Sequence, residues 1–284
     1  MPARLIDGRA HARAIREELN LAVARHPGQR APGITVIQVG DDLASTTYVR
    51  GKHKAAEEVG FRSAIMNLHD ITQADLNNRI RALADDPTID GILVQMPLPD
   101  GLDPDEALEQ IPPHKDVDGL HPYNAGRLAQ GNPTFIPATP LGVLELLRRE
   151  RIDPTGQRAV VVGRSRLVGR PLALLLLQNH ATVTIAHSHT IDLPAITRTA
   201  DILVAATGKR GLITGEHVKP GAIVIDVGIT RDPDTGKLTG DLDRASVELV
   251  AQALTPVPGG VGPMTVAMLL VNTFRAYRQH LGQA

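Results

Sequence analysis

Gly163 and Gly169 stand on either side of Arg164 and Ser165, after the β-branched run Val160-Val161-Val162 and before an apolar segment that Pro171 opens and Leu177 closes. Strand, glycine turn and helix in that order aim the unbonded N–H groups of a helix N-terminus beyond the strand end, a position that suits a phosphate. Pro171 costs this helix nothing in its first turn, where its missing N–H would have had no partner. A second strand, Thr182–Ala186, completes a βαβ unit. The spacing is G-x5-G and not the usual G-x-G-x-x-G, so the stretch alone also admits a purely structural turn in an α/β sheet. Two further strands, 202–206 and 222–227, end in Thr207-Gly208 and Gly228-Ile229. Strand ends converging on one edge are where an open parallel sheet binds its ligand. An NAD site places an acid about twenty residues beyond the first glycine, on the ribose hydroxyl. Here the second strand ends His187-Ser188-His189, with no acid, and Arg164 in the turn offers a planar fork to a phosphate. The 2′-phosphate of NADP is therefore the better fit.

Other residues carry chemistry at readable spacings. Tyr48 and Lys52 are four apart on a predicted helix and share one face, which is either solvated or directed at a ligand. Gln95 ends an apolar strand, where a buried amide needs partners in a structural network or on a ligand. Asp116 and Asp118 follow a proline-rich segment and are either solvated turn residues or site residues. His187-x-His189 has strand spacing for two metal ligands, but no third ligand is evident, so no metal is expected.

The elements that must position these groups follow the chain. Residues 10–24 read as an amphipathic helix and 34–39 as a buried strand. Ser45 is placed to cap the helix that carries Tyr48 and Lys52 and stops at Gly60. Residues 72–84 form a helix, and Asp90-Gly-Ile-Leu-Val-Gln-Met-Pro-Leu-Pro a strand running into prolines. Residues 124–133 are loop-like, and Pro140 starts a helix through Arg149. After the nucleotide unit, residues 241–253 read as helical and lead into Thr255-Pro-Val-Pro-Gly-Gly-Val-Gly-Pro-Met-Thr, where the backbone can approach a ligand closely. The last helix, 266–281, has an apolar face suited to docking on the first domain.

At 284 residues the chain has room for two ordinary domains. Thirty basic against 31 acidic side chains leave a net charge of −1, which excludes a general attraction to nucleic acid or an anionic membrane. With three Tyr, three Phe and no Trp, aromatic platforms for nucleic acid are not expected. Zero cysteines exclude disulfides and thiolate chemistry and make the cytoplasm the default location. The N-terminus has no apolar signal-peptide core, and no apolar run approaches a membrane span.

Several stretches taken together resemble the methylenetetrahydrofolate dehydrogenase/cyclohydrolase family: Tyr48-Val-Arg-Gly-Lys52, Val94-Gln95-Met-Pro-Leu-Pro, Lys115-Asp-Val-Asp118-Gly, Gly163-Arg-Ser-Arg-Leu-Val-Gly169-Arg-Pro, Ala206-Thr-Gly and Pro256-Val-Pro-Gly-Gly-Val-Gly-Pro-Met-Thr. The resemblance spans nearly the whole chain, in the family's order. It implies NADP-dependent oxidation of 5,10-methylenetetrahydrofolate, then hydrolysis of the methenyl product to 10-formyltetrahydrofolate, in a homodimer. It makes Lys52 the key residue of the hydrolytic step, with Gln95 holding its amine, Asp118 on the pterin and Tyr48 stacked on the aminobenzoate ring. Val94, Met96 and the loop Pro258, Gly259, Gly260, Val261 and Gly262 would line the folate site. Gly163, Arg164, Ser165, Gly169, Ser188, Thr207, Gly208 and Ile229 would hold NADP. Ala138 stands where the family often has Cys, and His189 where it usually has Lys or Arg, which exchanges a permanent charge for a titratable one. The runner-up is another two-domain NADP oxidoreductase, of shikimate-dehydrogenase type. A dinucleotide-sensing module without catalysis is a third reading, opposed by the joint presence of Tyr48, Lys52, Gln95 and Asp118. The expected fold is α/β, with two αβ domains, the second a Rossmann-like doubly wound parallel sheet, and an active-site cleft between them. Residues 1–138, completed by the helix at about 266–284, form the catalytic domain, and 139–265 the NADP-binding domain.

Overall fold

The computed structural model describes residues 2–25, 29–232 and 235–283. The chain runs β1 (Arg4–Leu5), α1 (Gly8–Ala24), β2 (Gly33–Val39), α2 (Leu43–Glu58), β3 (Arg62–Leu68), α3 (Gln73–Asp85), β4 (Gly91–Val94), α4 (Pro104–Glu109), α5 (Pro122–Ala129) and α6 (Ala138–Arg149). It continues β5 (Arg158–Val162), α7 (Gly169–Gln178), β6 (Thr182–Ala186), α8 (Leu193–Thr197), β7 (Ile202–Ala205), β8 (Ile223–Asp226), β9 (Thr230–Arg231), β10 (Leu238–Thr239), α9 (Arg244–Val247), β11 (Ala253–Leu254) and α10 (Val261–His280). Two compact units result, one of Arg13–Ala138 with Val266–Ala284, the other of Met1–Ala12 with Thr139–Thr265.

The first of these units holds a parallel sheet in the order β3-β2-β4. The central strand β2, GITVIQV, is buried along almost its whole length, as expected of a parallel strand covered on both faces. Ile37, Ile92 and Val94 of the sheet pack with Leu76 and Ile80 of α3 and with Ala107, Leu108 and Ile111 in and after α4. The cap of α2 is Asp42, whose side chain accepts the N–H of Ser45, so Ser45 lies in the first turn and is not the cap expected from the sequence. A carboxylate three residues earlier satisfies one of the unpaired first-turn donors and suits the positive end of the helix. The strand β3 was not legible in the sequence. Its half-exposed edge position leaves RSAIMNL with neither a continuous apolar run nor a clean alternation. The loop expected over 124–133 is helical as far as Ala129, because His121 accepts the Tyr123 N–H as cap and Pro122 fits the first turn.

The segment 114–121 is laid along β4, with Ile92 N–H donating to the Lys115 carbonyl at 2.9 Å. Asn272 of α10 clamps it from behind, its amide donating to the carbonyls of Val117 at 2.8 Å and Ile136 at 2.9 Å. The end of the same helix is held by Tyr277, whose hydroxyl donates to the Arg30 carbonyl at 2.8 Å.

The other unit carries a six-stranded sheet, β1-β11-β8-β7-β5-β6, parallel at every pairing. Val160, Val162, Leu203, Ala205 and Val224 line one face in the period-two pattern of strands and form its core with Ala186, Ile213 and Leu254. β6 and β7 lie on opposite sides of β5, so the strand order reverses at β5, where a doubly wound sheet binds its ligand. Two expectations change here. Only Arg244–Val247 of the stretch 241–253 is α-helical, and its end enters the sheet as β11. Residues 1–12 lie in this unit and not with the rest of 1–138, because β1 pairs with β11. A two-residue strand has no periodicity to read, and its partner is far away in sequence.

Candidate active site

On α2, Tyr48 and Lys52 stand one turn apart, as their spacing requires. Tyr48 is 37% exposed and its hydroxyl has no hydrogen-bond partner among the described residues. The Lys52 Nζ donates to Gln95 Oε1 at 2.9 Å, and the Gln95 amide donates in turn to the Met96 carbonyl at 2.7 Å. Gln95 is itself fixed by its N–H on the Ile37 carbonyl at 2.8 Å, so the end of the buried β4 sets where the lysine points. Val94, the residue before Gln95, is buried in β4 and packs in the core with Leu76, Ile80 and Leu108. Burial holds the Lys52 ammonium below the ordinary lysine value, and the nearby Asp118 carboxylate pulls the other way.

The two aspartates expected together in the loop have separate fates. Asp116 is buried, and its carboxylate accepts the N–H groups of Leu120 at 3.1 Å and His121 at 2.9 Å and the Asn124 amide at 2.7 Å. It shapes the turn. Asp118 is half-buried with no hydrogen-bond donor among the described residues. Burial raises its carboxyl above the ordinary value, Lys52 draws it back, and Asp116 adds to the rise. Lys115 is structural, its Nζ donating at 2.7 Å to the carbonyls of Ala84 and Asp86. Lys52, Gln95 and Asp118 therefore come together as a cation, an amide and a free acceptor, and neither polar partner of the lysine is a firm counter-ion.

In the six-stranded unit, Gly163 follows β5 at φ +128°, where a Cβ would lie 2.2 Å from the Ala206 carbonyl oxygen. A Cβ on Gly169 would lie 2.1 Å from the Gly163 carbonyl oxygen. The pair leaves an open turn into α7, whose N-terminus carries no side-chain cap. That cradle fits a pyrophosphate, the anion that helix N-termini receive. Ser165 closes the turn by accepting the Val168 N–H at 3.1 Å, and Arg164 is exposed. Partial burial, then Arg164 and His189, hold the His187 imidazole below its ordinary value, and its Nδ1 accepts the His189 N–H at 3.2 Å. Arg164, Ser188 and His189 thus gather at the ends of β5 and β6, and among the described residues no acid follows either strand directly. The fit is to a phosphate-bearing ribose.

Thr207 and Gly208 lie at the end of β7 and Ile229, 38% exposed, beyond β8. The N–H groups of Thr207 and Gly208 are already bound by the buried Asp241, so this loop can offer a ligand its surface and not those donors. Pro258 to Gly262 lie in the same unit, where the Gly259 carbonyl accepts the Arg9 N–H at 3.0 Å. Sequence reasoning missed Asp226, Asp241 and Asn272. The readable signals were an acid directly after Gly240 and a lone amide in the apolar run of the last helix.

Two family models cover the chain: the catalytic domain of tetrahydrofolate dehydrogenase/cyclohydrolase matches residues 6–118, and its NAD(P)-binding domain residues 137–281. The "Bifunctional protein FolD" of Cupriavidus necator is 55% identical over 285 residues, covering 99% of this chain and 100% of that protein. The methylenetetrahydrofolate dehydrogenase-cyclohydrolase of Trypanosoma brucei, solved with NADP and an inhibitor, is 43% identical over 99% of each chain, with a TM-score of 0.94. A shikimate 5-dehydrogenase from Thermus thermophilus is similar in fold alone, at 17% identity over 88% of this chain and 93% of that one, TM-score 0.56. The chain belongs to the tetrahydrofolate dehydrogenase/cyclohydrolase family.

Proposed function

We propose that the chain performs both reactions of its family, with Lys52 as the proton-transfer group of the second. The first reaction oxidises 5,10-methylenetetrahydrofolate to the 5,10-methenyl cation, and the second adds water to give 10-formyltetrahydrofolate and a proton. NADP, when bound, supplies the acceptor for the hydride that leaves the one-carbon bridge. Gly163, Gly169 and the N-terminus of α7 hold its pyrophosphate, while Arg164, Ser188 and His189 receive the 2′-phosphate. Ser165, Thr207, Gly208 and Ile229 form the surrounding surface. No acid or base is needed for the first step, so these residues act by alignment.

The folate is held by Asp118, whose unbonded carboxylate oxygens accept the pterin's amino and ring N–H groups. Tyr48 stacks on the aminobenzoate ring, and Val94 and Met96 line the site. Hydrolysis then turns on Lys52. Its depressed basicity leaves a share of free amine, which takes a proton from the water attacking the cationic carbon. The same Nζ returns a proton to the ring nitrogen as its bond to that carbon breaks. The Gln95 oxygen keeps the amine aimed throughout. The observation that carries this reading is the donor bond from Lys52 to the neutral Gln95, its one hydrogen bond among the described residues, beside a carboxylate that burial also pushes toward neutrality.

A homodimer and a cytoplasmic location complete the proposal. The edge strand β6 exposes Ile185 (42%), and α7 exposes Leu177 (59%), an apolar surface that a second copy would cover. The cytoplasm is the default for a chain without cysteine. The test of the catalytic reading is a steady-state assay with 5,10-methylenetetrahydrofolate and NADP or NAD, beside methenyl hydrolysis. NADP-dependent oxidation is expected, with hydrolysis reduced roughly 10²- to 10⁴-fold in Lys52→Ala. Turnover of no folate by a chain that binds NADP would overturn it.

A further inference from the structure

Two carboxylates outside this mechanism lie behind the loops that follow β7 and β8. Asp226, the last residue of β8, is 4% exposed, and Asp241 is 0% exposed. Asp241 Oδ2 accepts the N–H groups of Thr207 at 2.5 Å and Gly208 at 3.2 Å. Asp226 Oδ1 accepts those of Gly228 at 3.1 Å and Asp241 at 2.9 Å, and its Oδ2 that of Leu242 at 3.2 Å. One series of bonds thus runs from the Thr207-Gly208 loop through Asp241 to Asp226 and the Gly228-Ile229 loop. Glycine makes the room: a Cβ at 228 would lie 2.0 Å from Asp241 Oδ1, and one at 240 would lie 1.8 Å from Asp226 Oδ2.

We propose that Asp241, seated by Asp226, is the positioning residue that sets the Thr207-Gly208 loop for the cofactor, an inference that rests on the cofactor site proposed above. A carboxylate that ties down two consecutive N–H groups fixes the loop's backbone, and hence the surface it turns to the ligand. The alternative role, filling the core, does not suit the residue. A buried acid with its Oδ1 lacking any partner among the described residues is costly as packing material.

The pair also has a charge state. No Lys, Arg or His bonds either carboxylate among the described residues, and the groups around Asp226 are Asp241, the Thr255 hydroxyl and backbone N–H groups. Burial pushes the Asp226 carboxyl up to about 7, against its backbone N–H bonds and with the charge of Asp241 adding to the rise. Below that pH the pair carries a proton. Above it two like charges face each other across the bonds that hold both loops, and cofactor affinity falls.

The test is NADP titration of the full chain by calorimetry in wild type, Asp241→Ala, Asp241→Asn and Asp226→Asn, with amide hydrogen exchange of Thr207 and Gly208 in the ligand-free protein. Loss of Asp241's charge-assisted bonds is expected to weaken NADP binding roughly tenfold to a hundredfold in Asp241→Ala and to speed exchange at both amides. Asp241→Asn, which keeps one acceptor oxygen, recovers part of both. Between about pH 6 and pH 9 wild-type affinity falls relative to Asp226→Asn, which stays neutral. Binding by a folded Asp241→Ala within twofold of wild type, or equal exchange at the two amides, overturns the proposal. If Asp241→Ala does not fold, parallel pH profiles in wild type and Asp226→Asn overturn it. A wild-type chain that binds no NADP overturns the cofactor site instead, and the exchange rates still decide whether Asp241 fixes the loop.

Discussion

Lys52 and Asp118 show how one environment prepares two groups for different tasks. Both are pushed toward their neutral forms by burial, and each partly restores the charge of the other. For Lys52 this means a usable free amine below the ordinary lysine range, so the rate of methenyl hydrolysis should rise with pH and level off below that range. A profile still climbing at the pH of a free lysine would contradict the assignment. For Asp118 the raised folded value has the opposite thermodynamic sign to a paired surface carboxylate. Protonated, it costs the fold little; as pH rises above its unfolded value of about 3.9, the unfolded chain ionises more readily than the folded one. Asp118→Asn should therefore raise the melting temperature near neutral pH, with the gain vanishing as pH falls to about 4, while folate binding is lost. Helical spacing made the shared face of Tyr48 and Lys52 legible, and the apolar run of β4 made Gln95 conspicuous. Spacing alone did not separate the two aspartates of the loop, which only the family resemblance did by naming Asp118, because Asp116 is consumed by donors from residues 120, 121 and 124, set by the fold of that turn.

Elements were readable where local pattern and tertiary role agree. The valine run of β5, the glycine turn and the proline in the first turn of α7 all state the same unit, and the structure has it. Gly163→Ala places a side chain at φ +128° and 2.2 Å from a carbonyl oxygen, which should destabilise this unit by about 1–3 kcal/mol in denaturant unfolding and weaken NADP binding with it. Arg164→Ala, by contrast, should weaken binding of NADP while leaving that of NAD near wild type, as measured by titration with each. The helix expected over 241–253 failed because Asp241 and Leu242 donate to Asp226 instead of entering a helix, and because Ala253 and Leu254 are taken by β8. The edge strand β3 escaped notice for the converse reason. Its pairing with β2 over seven residues is strong in the sheet and almost silent in its own sequence.

Three helices, α1, α6 and α10, carry the chain from one unit to the other, so each unit is assembled from segments remote in sequence. The return of α10 is secured by a buried charge cluster: Asp90 accepts Arg30 through both oxygens at 2.6 Å, the Gly33 N–H at 2.8 Å, and lies 3.0 Å from His280 Nδ1. Asp90→Ala leaves the guanidinium without its partner and should cost about 3–5 kcal/mol in denaturant unfolding, with faster amide exchange in the last turns of α10. On the opposite unit, Ile185→Asp should turn the proposed dimer into a monomer in sedimentation, since a charge on that edge disfavours a second copy. By itself the sequence determined the α/β class, the nucleotide-binding βαβ unit and the absence of an acid at its second strand end, because those depend on local periodicity and residue type; Lys52 was singled out by the family resemblance and not by its spacing. Only the tertiary structure decided that Arg4 and Leu5 join the six-stranded sheet, that the Asp116 carboxylate is taken up by its own turn, and that Asp226 and Asp241 stand behind the loops after β7 and β8. Each of these depends on long-range pairing and on which donors burial brings to an acid, and neither leaves a mark in a short window of sequence.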